Sequence, residues 1–426
     1  MKRLSFPQLL AITVIGFALT FSSNIQDPPL MTYKVRQLAP DLPNTALGFL
    51  TFVGLLVAMV VQPVVGVLSD RTTSRLGRRL PFIIGGAVLV AIALFLLALS
   101  PALWVLVLGI IFIQFSSNLL QGPWQALIPD LVPEAQRGVA SALKAMMDIL
   151  AFVVGSAAAG VLMGQTETWG QAAVFLTAAA PSVIFIIAVT ITAIWARENP
   201  PAGGVAAPAQ GGGVSSETLA ALKNAFSVDF RQHPVFGWWF ANRILFWGGF
   251  IALNTFLINY LIDVAGMPQA EAQSFKGLLS IVIGASLLVV ALPAGRFSDR
   301  IGRKPIVLAA GLLACLGASL LFLAHDQTMI AIAAAVIGVS VGGFLTTSWA
   351  LATDIVPREE AARYLGIANI ATCIGSGGAR LLGGVLIDPI NAAFASPSAG
   401  YLALYGLAAL FFLFSALVVI PLPRTK

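Results

Sequence analysis

Residues 66–79 of the chain read GVLSDRTTSRLGRR, and residues 295–304 return to the same pattern as GRFSDRIGRK. A second pair of related stretches follows them. The stretch from Trp124 to Pro133 ends in Asp-Leu-Val-Pro, and the stretch from Trp349 to Pro357 ends in Asp-Ile-Val-Pro. The copies lie roughly 225 residues apart, so the sequence indicates an internal duplication of a unit of about half the chain.

The composition around these repeats is that of a membrane protein. Of 426 residues, 58% are hydrophobic and 10% are charged, whereas a soluble domain carries roughly 25% charged residues. A helix that crosses the ~30 Å hydrocarbon core needs about 20 mainly apolar residues. The sequence contains twelve such stretches, near residues 8–33, 45–69, 80–99, 102–128, 138–164, 170–195, 234–262, 273–296, 304–324, 328–353, 362–387 and 399–422.

These stretches predict helices, because they are too long and too uniformly apolar for the strands of a membrane β-barrel. The expected fold is an all-α membrane protein with twelve transmembrane helices in two pseudo-symmetric six-helix bundles. One long polar segment, rich in proline and glycine, separates the two halves and is typical of a flexible linker. We therefore predict a first bundle at 1–196, a cytoplasmic linker at 197–233 and a second bundle at 234–426, with substrate bound at the interface between the repeats.

Positive charges are distributed unevenly between the two ends of the predicted spans. Threaded from a cytoplasmic N-terminus, eighteen of the 24 lysines and arginines fall on the cytoplasmic side, and only Lys34, Arg36 and Lys276 fall on the other. This asymmetry follows the positive-inside rule. We expect an integral plasma (inner) membrane protein with both termini in the cytoplasm, and the net charge of +6 does not indicate nucleic-acid binding.

Motifs of enzymes and metal sites are absent from the sequence. It contains no P-loop, which argues against a pump that hydrolyses nucleotide. Cys315 and Cys373 fall inside predicted helices and are expected to pack as small apolar residues. The two histidines lie in predicted loops, so we expect no enzymatic activity, no catalytic residues, no cofactor and no metal.

The repeated G-x-x-S-D-R…G-R-R/K pattern resembles the signature of the major facilitator superfamily. In that pattern glycine permits close helix approach, and the aspartate can cap or pair with the arginines. The resemblance implies a transporter that works by alternating access. Asp70, Arg71, Asp299 and Arg300 are then expected to hold gating contacts.

A finer resemblance covers about 40 residues of the first half. Residues 69–82 and 118–126 look like stretches of plant sucrose transporters, which belong to the glycoside–pentoside–hexuronide:cation symporter family. The resemblance implies symport of a sugar with a cation. The chain departs from the family at Gln114, where the sucrose carriers have an acidic residue associated with proton coupling, and Leu47 to Leu68 contains no acid either.

Charged residues inside the predicted spans are the candidates for that coupling. A charge at the centre of a spanning helix costs about 2.5–3.5 kcal/mol on insertion scales, so such residues often face a cavity and serve function. Lys144 and Asp148 are four residues apart and share one helix face. We predict that Asp148 couples transport to protons with Lys144 as its partner, and that Asp27 is the next candidate carboxylate, although a neutral structural ion pair would explain the spacing of Lys144 and Asp148.

Arg243 is the corresponding charge in the second half, and it lies among aromatic and amide side chains. Its guanidinium, with Trp247 and Asn254, suits the hydroxyls and ring faces of a sugar, or an anionic group. Arg243 could equally reach towards Asp148 or Asp27 as a latch. We predict substrate binding by Arg243, Trp247 and Asn254.

Amides in the first half complete the predicted binding set. Asn24 precedes Asp27-Pro28-Pro29, where proline either breaks a helix that lines a cavity or marks the helix end. Gln114, Asn118 and Gln121 form a polar stripe at helical spacing, and amides seldom face lipid.

Two further residues are given other roles. Trp124 is expected to anchor near the cytoplasmic interface rather than to stack on substrate. Arg380 follows a run of glycines and is expected to pack closely and gate.

The leading functional hypothesis is proton-coupled symport of a sugar or glycoside. An exporter of amphipathic metabolites or drugs with an aromatic pocket is the alternative within transport. A transport-inactive assembly factor or receptor is the alternative from another class. The expected partners are a small-molecule substrate, a coupling proton and the lipid bilayer, and the expected state is a monomer.

Overall fold

The computed structural model describes residues 3–72, 74, 76–196, 234–324, 326–355 and 361–422. The predicted linker at 197–233 lies outside these residues. Twelve helical spans in the described part of the chain are long and apolar enough to cross a membrane, which confirms the predicted fold class. The helices are α1 Phe6–Ile25, α2 Met31–Leu38, α3 Pro43–Arg71, α4 Leu80–Ala98, α5 Leu103–Leu131, α6 Glu134–Met163, α7 Thr166–Trp169, α8 Gln171–Trp195, α9 Pro234–Asp263, α10 Gln269–Ile301, α11 Arg303–Phe322, α12 Gln327–Ile355, α13 Ala361–Ala393 and α14 Ala399–Leu417.

The first span consists of α1 and α2, joined by a wide helical turn at Gln26–Leu30. Asp27 leaves the helical backbone there, with φ −123° and ψ 114°. The two prolines that follow it lack the backbone N–H that would continue the helical hydrogen bonds. The Asp-Pro-Pro sequence therefore lies at a break within the first span, and not at its end.

The chain divides into two compact units. One contains Met1–Ala209 and Met267–Leu278, and the other contains Gln210–Gly266 and Leu279–Lys426. Helix α10 begins in the first unit and continues in the second. Lys276, which the charge pattern assigns to the outer side, is a buried residue of α10 and belongs to the first unit.

Small residues bring helices into backbone contact inside each unit. In the first unit, a Cβ at Gly160 of α6 would lie 2.9 Å from the Cα of Gly277 in α10. Ser274 Oγ beside it donates to the Gly160 carbonyl at 3.2 Å. In the second unit, Gly375 of α13 packs directly against the carbonyl of Ile244 in α9. Membrane helices approach this closely where glycine and serine line the crossing, and the crossing at Gly375 holds α13 beside the face that carries Arg243.

Candidate functional site

A carboxylate cluster lies inside the first unit, on helices α1, α5 and α6. Lys144 Nζ and Asp148 Oδ2 are 2.9 Å apart, so the predicted i,i+4 ion pair forms within α6. The other carboxylate oxygen of Asp148 accepts a hydrogen bond from Thr20 Oγ1 of α1 at 3.3 Å. About a third of each charged side chain is exposed, 31% for Lys144 and 34% for Asp148. Both carboxylate oxygens of Asp148 are thus engaged, while part of each charged side chain remains exposed.

Trp124 of α5 packs against the Lys144 side chain of this cluster. Its indole is 2% exposed, and Nε1 donates to the carbonyl of Ile12 at 2.7 Å. Lys144 Nζ lies 5.3 Å from the ring centroid, within the range of a cation–π contact. The expectation that Trp124 anchors at the membrane interface is therefore wrong, because its N–H has a protein acceptor and its ring faces a cation.

Gly16 of α1 makes room for this arrangement. A Cβ at residue 16 would lie 2.9 Å from the Trp124 ring and 3.1 Å from Asp148 Oδ1. Real Cβ atoms rarely approach so closely. The absence of a side chain at Gly16 thus lets α1 carry Thr20 to Asp148. Sequence reasoning missed both Gly16 and Thr20, which have no signal beyond their small size.

Asn24 and Asp27 lie farther along the first span. Asn24 is in the last turn of α1, and Asp27 is at the break. Asn24 Nδ2 donates to the Thr20 carbonyl at 2.7 Å, and Ser156 Oγ donates to Asn24 Oδ1 at 3.4 Å. Asp27 acts electrostatically on the buried ammonium of Lys276. Asp27 is thus part of a charge interaction separate from the Lys144–Asp148 pair.

Gln273, one turn before Lys276 in α10, reinforces the break in the first span. Its Nε2 donates to the Pro29 carbonyl at 3.0 Å, so α10 contacts the first span at the break. In the sequence, the pattern that could have indicated this contact is the pair of polar residues Gln273 and Lys276, one turn apart at the start of the predicted span 273–296.

The amides of α5 are less open than a cavity stripe requires. Asn118 is buried, and its Nδ2 donates a hydrogen bond to the Gln114 carbonyl of the same helix at 2.8 Å. Gln114 is half-buried against Gly54 of α3, where a Cβ would lie 3.1 Å from Gln114 Cγ. Gln121 is half-buried. Gln114 and Gln121 therefore keep part of their surface free for a ligand.

The second unit contains a buried cation held between two indoles. Arg243 of α9 is 4% exposed, and its Nε donates to Thr372 Oγ1 of α13 at 3.0 Å. Its guanidinium carbon lies 4.6 Å from the ring centroid of Trp349 and 5.7 Å from that of Trp239. Trp349 is the repeat partner of Trp124, so a cation stacks on the duplicated tryptophan in each unit. The cations come from non-equivalent helices, α6 in the first unit and α9 in the second.

Trp247 and Asn254 follow Arg243 along α9. The Trp247 ring meets that of Phe250 edge-on, with centroids 5.8 Å apart. Phe250 and Asn254 lie on the wall of a partly open apolar pocket, whose other lining residues are Leu253, Leu257, Leu279, Ile283, Leu321, Ile330, Ala334 and Ile337.

The duplicated signatures form equivalent ion pairs in the two units. Asp130 Oδ2 lies 2.9 Å from Arg78 Nη2 and 3.1 Å from Arg79 Nε. Arg303, the repeat equivalent of Arg78, has its Nε 2.6 Å from Asp354 Oδ2. Arg79 also bonds Asp70 Oδ1 at 2.5 Å. The aspartates of the Asp-x-Val-Pro stretches are the partners of these arginines, a pairing that sequence reasoning missed although the repeat marks both members.

The remaining predicted gating residues have weaker structural support. Asp299 and Arg300 are exposed at the end of α10, and Arg380 is half-buried in α13. The side chain of Arg71 lies outside the described residues.

The fold and the charge pattern define a membrane transporter of the major facilitator type, and comparison with known proteins identifies its family. Residues 37–364 match the family described as MFS/sugar transport protein, and the chain belongs to that family. This confirms the resemblance drawn from the repeated motifs. The protein is a transporter and not an enzyme.

Plant sucrose transporters are among its curated relatives. The chain is 25% identical to Sucrose transport protein SUT5 of Oryza sativa subsp. indica, over 88% of this chain and 80% of that protein. It is 32% identical to Sucrose transport protein SUT1 of Oryza sativa subsp. japonica, over 42% of this chain and 39% of that protein.

A solved structure of the same fold is the D-xylose-proton symporter. Its TM-score is 0.72 at 14% identity, and the match covers 99% of this chain and 98% of that chain. At this identity the likeness establishes the fold alone.

Proposed function

We propose that the protein is a proton-coupled symporter of a sugar or glycoside that works by alternating access. The observation that carries the proposal is the state of Asp148, whose two carboxylate oxygens bind Lys144 and Thr20 while a third of the side chain remains exposed. The family and the sucrose-transporting relatives support a sugar as the substrate.

Asp148 would carry the proton in this cycle. A proton that enters from outside binds the carboxylate, which becomes a neutral acid and loses its charge attraction to Lys144. Lys144 keeps its stacking contact with Trp124, so it remains close enough to pair again. Release of the proton to the cytoplasm restores the carboxylate and the ion pair. One proton enters and one leaves in each turnover.

The side chains proposed to bind substrate are amides, a guanidinium and an indole. Asn24, Gln114, Asn118, Gln121 and Asn254 offer amide donors and acceptors, and Arg243 and Trp247 offer N–H donors. Such groups match sugar hydroxyls, and indole faces match the apolar faces of sugar rings. The signature residues Asp70, Arg71, Asp299 and Arg300, with Arg380, would gate access. The proposed setting is a plasma (inner) membrane with both termini in the cytoplasm.

Uptake by reconstituted vesicles tests the proposal. Purified protein in liposomes receives an inward proton gradient, and sucrose, maltose and xylose are offered in turn with a pH-sensitive dye inside. We expect one of these sugars to accumulate against its gradient with simultaneous acidification, and a protonophore to abolish the accumulation. Sugar entry that merely equilibrates, with no proton movement, would remove the coupling from the proposal.

A second candidate function, export of amphipathic metabolites, is favoured by the apolar pocket beside Asn254. An exporter would lower the retention of an apolar cation such as ethidium in cells that express it, and a sugar symporter would not. The same vesicles distinguish both functions from a transport-inactive receptor, which would move neither sugar nor ethidium.

A further inference from the structure

Two N–H groups on one face of α9 have no hydrogen-bond acceptor. Arg243 Nη1 and Trp247 Nε1 are both shut off from solvent, and neither has a partner within the part of the chain that the structure describes. Residues four apart in a helix lie on the same face. Buried donors without acceptors are uncommon and unfavourable, and each one calls for an explanation.

The charge of Arg243 is also unmatched. Within the described ranges its contacts are Thr372 Oγ1 and the faces of Trp349 and Trp239, and none of these is a carboxylate. An indole face attracts a cation but offers no lone pair to an N–H group. The guanidinium is thus held in place on its faces and through Nε, while Nη1 is buried with no acceptor among the described residues.

An apolar pocket begins at Phe250, one helical turn beyond Trp247 and about two turns beyond Arg243. The Trp247 ring contacts Phe250, which is the first residue of α9 that lines the pocket. Seven residues of helix separate Arg243 from Phe250, a rise of about 10 Å. A ligand that bridges this distance needs an anionic head at Arg243 and Trp247 and an apolar body that reaches the pocket.

We propose that the second unit contains a binding site for an amphipathic organic anion, with its carboxylate on Arg243 and Trp247 and its apolar body in the pocket lined by Phe250 and Leu257. A guanidinium and a second N–H donor suit the two oxygens of a carboxylate. The inference goes beyond the proposed sugar transport, because it assigns to these residues a ligand with a negative charge for Arg243 and an apolar body for the pocket.

Binding of matched acid and neutral probes to the purified full-length protein tests the inference. The probes are 4-phenylbutyrate, its neutral analogue 4-phenyl-1-butanol, and butyrate, which has the carboxylate without the ring. Calorimetry in an uncharged detergent measures each affinity. We expect 4-phenylbutyrate to bind at least about tenfold more tightly than either of the other two probes.

Variants of the two donors localise the binding. Arg243→Gln is expected to lose about tenfold or more in affinity for 4-phenylbutyrate. Trp247→Phe keeps a ring but removes the N–H group, so it is expected to lose about threefold. Trp238→Phe is the matched control on the same helix, because its ring is 44% exposed and it is expected to bind as the unsubstituted chain does.

Equal affinity for the acid and the alcohol would overturn the inference. Absence of 4-phenylbutyrate binding would do the same, as would acid binding that both variants leave unchanged. If Arg243→Gln does not fold, Trp247→Phe against Trp238→Phe decides the question alone. Sugar uptake that survives while 4-phenylbutyrate fails to bind would remove the anion site and leave the proposed function intact.

Discussion

Lys144 and Asp148 form an ion pair one helical turn apart, and Thr20 of another helix donates to the carboxylate oxygen that Lys144 does not contact. About a third of each charged side chain is exposed. The cluster also joins α1, α5 and α6 through Trp124 and Gly16. A change of protonation at Asp148 would therefore act on contacts between three helices.

Asp148→Asn tests the coupling role. Asparagine can still accept from Thr20, but it cannot bind and release a proton in the transport cycle. We expect accumulation of substrate against a gradient to be lost, while ligand binding and counterflow remain. Uptake and counterflow in the same vesicles measure the two activities.

The control for this variant is Asp41→Asn, in an exposed turn, which is expected to transport as the unsubstituted chain does. If Asp148→Asn still concentrates substrate together with protons, Asp148 is structural. Asp27, which acts on Lys276, becomes the next carboxylate to test.

Gly16→Ala tests the packing beneath Asp148. The new methyl group would meet the Trp124 ring at 2.9 Å and Asp148 Oδ1 at 3.1 Å. Overpacking of this kind costs about 1–3 kcal/mol, so thermal unfolding in detergent should occur at a lower temperature and uptake should fall. Gly85→Ala is the matched control, because a Cβ at Gly85 meets nothing within 4 Å. Replacing glycine by alanine inside a helix is by itself stabilising by roughly 0.5–1 kcal/mol, so equal behaviour of the two variants would contradict the packing role of Gly16.

The signature ion pairs predict a graded effect on turnover. The side chain of Asp130 is 22% exposed and that of Asp70 is 55% exposed, and both bind Arg79. Removing the less exposed carboxylate costs more, because water screens its attraction to Arg79 less. We expect Asp130→Asn to slow counterflow about tenfold, and Asp70→Asn to slow it less, with ligand binding retained in both.

Asp354→Asn in the second unit is expected to resemble Asp130→Asn, since Asp354 binds Arg303 in the same way. Replacing Asp70 and Asp299 together is the decisive variant for the signature itself. Unchanged transport in that double variant would mean that the two aspartates only mark the membrane orientation of the chain.

Cysteine labelling tests the proposed orientation. The only native thiols, Cys315 and Cys373, are first replaced by alanine. Single cysteines then replace Ser74, in the turn between α3 and α4, and Ser396, in the turn between α13 and α14. With both termini in the cytoplasm, an impermeant maleimide should label residue 396 in intact cells and residue 74 only after lysis. The reverse pattern would invert the topology.

Pairings within one helix could be read from residue spacing, whereas pairings between helices could not. The Lys144–Asp148 ion pair follows from i,i+4 spacing alone. Thr20 could not be foreseen as its third member, since 128 residues separate it from Asp148 and the rotation of α1 decides which side chains face α6. For the same reason the charge pattern could place Lys276 on the outer side but could not show that it is buried in α10 beside the break in the first span.

The sequence by itself determined the membrane class, the twelve spans, the duplication and the major facilitator signature. These are properties of local composition and of repeated patterns, which hold whatever the helices touch. Only the tertiary structure decided that Trp124 is buried beneath Lys144, and that Arg243 is held on Trp349 with Nη1 unmet. The direction in which a side chain points across a helix pair depends on how two distant segments pack, and no residue spacing within one segment encodes it.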